Sequence, residues 1–105
     1  MIDFDAIFGF EWDEGNARLS KFKSEIKHGV SQVEIEEIFF NDPLLINSDD
    51  KHTAQEARYL ALGLTNFRRS LEVIFTLRKD ATLIRVISAR DQHRKERHIY
   101  EQAGR

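Results

Sequence analysis

The chain contains no cysteine, which excludes disulfides and thiolate metal sites and gives no sign of an oxidising compartment. Proline occurs once, at Pro43, while 41% of the residues are hydrophobic and eight are Phe. That supply of large apolar groups offsets chain entropy and argues against a disordered chain. No apolar stretch approaches the roughly 20 residues of a membrane span. The opening Met1-Ile2-Asp3-Phe4-Asp5 carries acids where an export signal needs bases. The expectation is a cytoplasmic protein without a membrane partner. Glycine-rich phosphate loops are absent, as is a serine set between glycines at a strand-to-helix elbow. The four histidines, His28, His52, His93 and His98, have no spacing typical of zinc ligands; His93 and His98, five apart on a predicted helix, point to different sides. No metal site and no cofactor is expected.

What is present fits one domain covering 1–105, because a second core would leave each half too small. The net charge of −2 conceals an asymmetry: up to His52 five Lys and Arg face twelve acids, a balance of −7, and from Thr53 eleven face six, a balance of +5. A basic half can supply the phosphate neutralisation that dominates nucleic-acid affinity. The same split also arises when an acidic helical half precedes an arginine-bearing sheet.

Phe8 to Trp12 reads as a short strand, after which Asp13 offers an N-cap for a helix whose apolar positions Leu19, Phe22 and Ile26 recur at three and four. Gly29 after Lys27-His28 marks its end. Ser31 and Glu34 form a capping box for a second helix with Val33, Ile35, Ile38 and Phe39 as its apolar stripe. Asn41-Asp42-Pro43 terminates it. Leu44 to Ile46 follows as a strand, then a polar loop from Asn47 to His52.

Ala57 to Thr65, Leu71 to Leu77 and Thr82 to Ala89 predict a strand meander, and Asp91 to about Gln102 a terminal helix capped by Asp91. The tight turn at Lys79-Asp80-Ala81 suggests a register with Phe75 opposite Arg85, Val73 opposite Ile87 and Arg78 opposite Thr82. One face would then carry Leu71, Val73, Phe75, Leu77, Leu83 and Ile87, with Arg85 as its exception, and both N-terminal helices would pack on it. The other would carry Glu72, Ile74, Thr76, Arg78, Ile84, Val86, Ser88 and Arg90, a mixed surface suited to a ligand, a partner or the terminal helix. The fold class is α+β.

Guanidinium groups at strand positions and ends are the remaining chemistry: Arg58, Arg78, Arg85 and Arg90, followed by Arg94 and Lys95. Guanidinium binds phosphate through paired hydrogen bonds, and rigid strands hold it where charge develops on a phosphorane. Metal-free RNA cleavage needs such cations, a base for the 2′-hydroxyl and an acid for the leaving 5′-oxygen. His52, Glu56, Lys27 and His28 are the candidate proton carriers. Each group also has a structural role open to it: Arg85 as a sheet-face ion pair, His28 at a helix C-terminus, Glu56 as a solvated loop acid.

Phe10-Glu11-Trp12-Asp13, Asn16 with Leu19, and Lys27-His28-Gly29-Val30-Ser31 resemble the opening of BrnT-type toxins. Phe39 with Asp42-Pro43, Asp50-Lys51-His52, Glu56-Ala57-Arg58-Tyr59 leading to Leu62-Gly63, Ile84-Arg85-Val86-Ile87-Ser88-Ala89-Arg90 and Arg94-Lys95-Glu96-Arg97 with Tyr100 continue the likeness over nearly the whole chain. The resemblance implies a RelE-like fold and a growth-inhibiting endoribonuclease of a type II toxin–antitoxin system. It also implies a BrnA-type ribbon-helix-helix antitoxin, through which alone operator DNA would be contacted. Carried over by position, it points to Lys27, His28, Arg58, Arg85 and Arg90, with His52 and Glu56 after them; the base stays open among Glu56, His52 and Lys27. The alternative is a catalytically inactive module that acts only with its antitoxin in transcriptional autoregulation.

Overall fold

A computed structural model describes residues 2–17, 29–49 and 56–104. They form five strands, β1 (Gly9–Phe10), β2 (Leu45–Ser48), β3 (Tyr59–Leu64), β4 (Ser70–Arg78) and β5 (Leu83–Asp91), and two helices, α1 (Gln32–Ile38) and α2 (Arg94–Ala103). The sheet order is β1-β5-β4-β3-β2. Strands β3 to β5 make the expected antiparallel meander, β2 adds antiparallel to β3, and β1 lies parallel to β5 at the edge. The class is α+β.

The helices differ from the expectation of two N-terminal helices on one face. Asp13 does head a helical turn, its carboxylate accepting the Gly15 N–H at 2.8 Å and its carbonyl the Ala17 N–H at 2.7 Å. The helix expected beyond it falls on 18–28, outside the described residues. Helix α1 is capped as the sequence predicts: Ser31 Oγ accepts the Glu34 N–H at 3.1 Å, and the Glu34 carboxylate accepts the Ser31 N–H at 3.0 Å. Ile35 and Ile38 are fully buried, but Val33 is 65% exposed. The apolar stripe is narrower than expected because residues two apart on a helix do not face the same way.

The terminal helix starts three residues later than predicted. Asp91 is the last residue of β5 rather than a cap, and its carboxylate takes Arg69 Nε at 2.7 Å. The Glu96 side chain instead accepts the His93 backbone N–H at 2.8 Å. Helix α2 packs against β3, and its Tyr100 hydroxyl donates to the Pro43 carbonyl.

The β4–β5 register is displaced by one residue from the expected pairing near the turn. Phe75 faces Val86, Thr76 faces Arg85, Arg78 faces Leu83, and Val73 faces Ala89. The turn is longer by one because Thr82 belongs to it: the Thr82 N–H donates to the Arg78 carbonyl at 3.1 Å, and its hydroxyl to the Lys79 carbonyl at 2.6 Å. Lys79, Asp80 and Ala81 all take positive φ within it. A shift of one residue exchanges the two faces of a strand, so Ile84 and Val86, expected on the mixed face, enter the core, and Arg85 leaves it. An irregularity beside Ile74 and Phe75 restores Ala89 to the core side beyond it.

The core therefore joins Leu71, Val73 and Phe75 of β4 to Ile84, Val86 and Ala89 of β5 and to Ile35 and Ile38 of α1. Phe39 closes one end, edge-on to Phe10 and Phe75 with ring centroids 5.6 and 5.3 Å apart. Arg69 ties three elements at the other: Asp91 of β5, Glu34 of α1 at 3.1 Å, and the Gly29 carbonyl at 2.7 Å.

Candidate active-site face

Side chains alternate across a strand, so the face away from Leu71, Val73 and Phe75 carries Glu72, Ile74, Thr76 and Arg78 of β4. Opposite them stand Arg90 and Arg85 of β5, paired with Glu72 and Thr76 respectively. Arg58 joins this face from the segment leading into β3. That segment is fixed at both sides: the Thr76 hydroxyl donates to the Ala57 carbonyl at 2.7 Å, and the Asp49 N–H to the Arg58 carbonyl at 2.8 Å. The four arginines anticipated at strand positions thus share one face.

Two ionic groups occupy it. In the first, Arg78 binds Glu56 and lies 3.8 Å from Glu11, while Arg85 reaches Glu11 at 2.9 Å and Asp13 at 2.8 Å. In the second, Arg90 contacts Glu72 at 2.6 Å and Glu96 at 2.9 Å. A cleft of about 310 Å³ adjoins the second group, lined by Asp49, Arg58, Leu60, Glu72, Ile74, Ile87, Ser88 and Arg90. Its lining combines the apolar Leu60, Ile74 and Ile87 with the guanidinium-bearing Arg58 and Arg90.

Burial and the neighbouring Glu96 push the Glu72 carboxyl up to about 7, against the pull of Arg90. Glu96, though burial opposes its ionisation, is held down at about 2 by hydrogen bonds from Glu72, Arg90 and the His93 N–H. The two neighbouring carboxyls are thus shifted in opposite directions, Glu72 upward and Glu96 downward. At the other end, hydrogen bonds from Arg85 and Gly15 hold Asp13 below its ordinary value.

Of the anticipated residues, Arg58, Arg78, Arg85, Arg90 and Glu56 come together on this face. Arg94 and Lys95 stand exposed on the first turn of α2. Lys27, His28 and His52 lie outside the described residues. Glu11, Asp13, Asp49, Glu72 and Glu96 were missed. Glu72 was expected on the mixed face of β4, but as one of its residues rather than as a site acid. In the fold it is 7% exposed, and Glu96 of α2 shares Arg90 with it. Among the described residues, no three His, Asp or Glu side chains converge as metal ligands would, and no helix is long and apolar enough to cross a membrane.

A family model described as "Ribonuclease toxin, BrnT, of type II toxin-antitoxin system" matches residues 12–96. No curated protein matches the chain at a significant level. The matched span contains every arginine of the face and leaves out the 3-10 turn at Phe4–Ala6 and strand β1.

Proposed function

The chain belongs to the BrnT family of ribonuclease toxins of type II toxin–antitoxin systems, and from that premise we propose that it is a metal-independent endoribonuclease whose site is the cleft between Arg58 and Arg90. The observation that carries this reading is the cleft itself, lined by Arg58 and Arg90 beside the buried Glu72, with the half-buried Glu96 also on Arg90. Arg58 and Arg90 hold the scissile phosphate and stabilise the charge that develops on it. Arg78 and Arg85 extend the positive rim along the RNA, Glu56 sharing Arg78 with it, and Arg94 and Lys95 with His28 continue the contact with flanking phosphates. The base comes from Glu56, His52 or Lys27.

The whole chain acts as one toxin domain that arrests translation and growth. Its protein antitoxin is of the BrnA type, a ribbon-helix-helix DNA-binding protein, so that the complex reaches operator DNA through the antitoxin alone. Cleavage of RNA by the purified chain, freed of antitoxin and in excess EDTA, tests the reading. Loss of cleavage in Arg58→Ala and Arg90→Ala supports it. RNA left intact by folded wild-type protein, with and without ribosomes, overturns it.

One observation favours the second reading, a module that binds its antitoxin without cutting RNA. Arg78, Arg85 and Arg90 are each engaged by the chain's own carboxylates, and a phosphate has to displace or join these partners. Growth arrest on induction of the chain alone, relieved by Arg58→Ala and by the antitoxin, separates the two.

A further inference from the structure

The cleft holds an acid whose position suits one specific task. Glu72 of β4 lines the cleft with Arg58 and Arg90, is 7% exposed, and places Oε2 2.6 Å from Arg90 Nη2. The charged groups that bear on it are Arg90 from β5, Glu96 from α2 and Asp49 just after β2, and Arg58, just before β3, lines the same cleft. Glu96 accepts hydrogen bonds from Arg90 at 2.9 and 3.1 Å and from the His93 N–H at 2.8 Å. Those donors satisfy its charge and fix it in place. For Glu72 the pull of Arg90 toward the anion is opposed by burial and by two neighbouring carboxylates, Glu96 and Asp49.

We propose that Glu72 is the general acid of the cleft, giving its carboxyl proton to the departing 5′-oxygen while Arg58 and Arg90 hold the phosphate. This rests on the ribonuclease reading above. The substrate's 2′-oxygen forms a bond to phosphorus as its own proton passes to the base. The P–O5′ bond breaks with its electron pair on O5′, and the Glu72 proton converts that oxygen to a hydroxyl. A 2′,3′-cyclic phosphate remains, and Glu72 regains a proton from water. A carboxyl that retains its proton to about 7 is matched to donation near neutral pH. Glu96 keeps the negative charge away from the leaving oxygen.

An oligoribonucleotide carrying a bridging sulfur in place of O5′ at its mapped cleavage position provides the test, since a departing thiolate needs no proton. Glu72→Gln is expected to slow cleavage of the ordinary oligonucleotide by about 100-fold or more and to remove the alkaline fall in rate near pH 7. The sulfur-bridged oligonucleotide is expected to be cut by this variant at nearly the wild-type rate. Equal losses on both substrates would make Glu72 a purely structural residue and overturn the proposal, as would no loss on either. The wild-type protein alone gives a second arm: its alkaline limb must appear with the oxygen substrate and vanish with the sulfur one, whether or not the variant folds. Wild-type protein inert on both substrates would instead overturn the ribonuclease reading.

Discussion

Arg85 and Asp13 meet through two parallel hydrogen bonds, Nη1 to Oδ2 at 2.8 Å and Nη2 to Oδ1 at 3.1 Å. This is the geometry in which guanidinium binds phosphate, so the chain's own carboxylate occupies the fork that RNA would use. Asp13→Asn is expected to tighten RNA binding at low salt and to steepen the dependence of log affinity on log salt by about one phosphate contact. Filter binding across a salt series measures this. An unchanged slope would leave Arg85 as a tie between β5 and the segment that follows β1 only.

Asn16 is the hidden anchor of the same region. At 4% exposure it donates to the Glu11 carbonyl at 2.9 Å and the Val86 carbonyl at 3.1 Å, and accepts the Asp13 N–H at 2.8 Å. Asn16→Asp keeps the shape but removes both donors and sets a carboxylate against two carbonyls. A loss of about 2 kcal/mol or more is expected in urea unfolding, and a loss below about 0.5 kcal/mol would contradict the hydrogen-bond pattern.

Gly63 lies where α1 crosses β3, and a Cβ there would stand 2.8 Å from Ile38 Cβ. Gly63→Ala is therefore expected to destabilise by about 1 to 3 kcal/mol through overpacking. The double change with Ile38→Val is not expected to restore stability, because Val retains the offending Cβ, whereas Ile38→Gly would relieve the contact at its own larger cost. Thermal melts of the single variant give the first check.

The Glu72–Glu96 pair sets opposite pH slopes. Glu72 keeps its proton to about 7 when folded, against an ordinary 4.5. Between these values the native state binds more protons than the unfolded one, so this group's contribution to stability falls as pH rises from about 4.5 to 7. Glu96, lowered to about 2, contributes stability present above 4.5 and lost as pH falls toward 2. Urea titrations at pH 5 and 7.5 should show wild type losing stability relative to Glu72→Gln as pH rises, by at most about 1.4 kcal/mol per pH unit. The reverse slope would place the proton elsewhere.

Much of this molecule is legible in its sequence because it is local. The Ser31–Glu34 capping box, the strand meander and the arginines at strand positions all follow from spacing within a few residues. The register between β4 and β5 does not, because it depends on whether Thr82 belongs to the turn or the strand. That one residue decides whether Arg85 or Val86 faces the core. Likewise Asp91 satisfies every local rule for a helix cap, yet Arg69, 22 residues earlier, draws it into the sheet.

The sequence by itself determined the class and the presence of a basic half, since composition and short-range periodicity carry those, while the family rested on the likeness of its motifs taken in order. Only the tertiary structure decided which acids meet those arginines. Glu11, Asp13 and Glu56 converge on Arg78 and Arg85, and Glu72 and Glu96 on Arg90, across separations of 6 to 74 residues. A carboxylate's charge and proton affinity depend on what lies within a few ångströms of it, and chain folding, not sequence proximity, sets that distance.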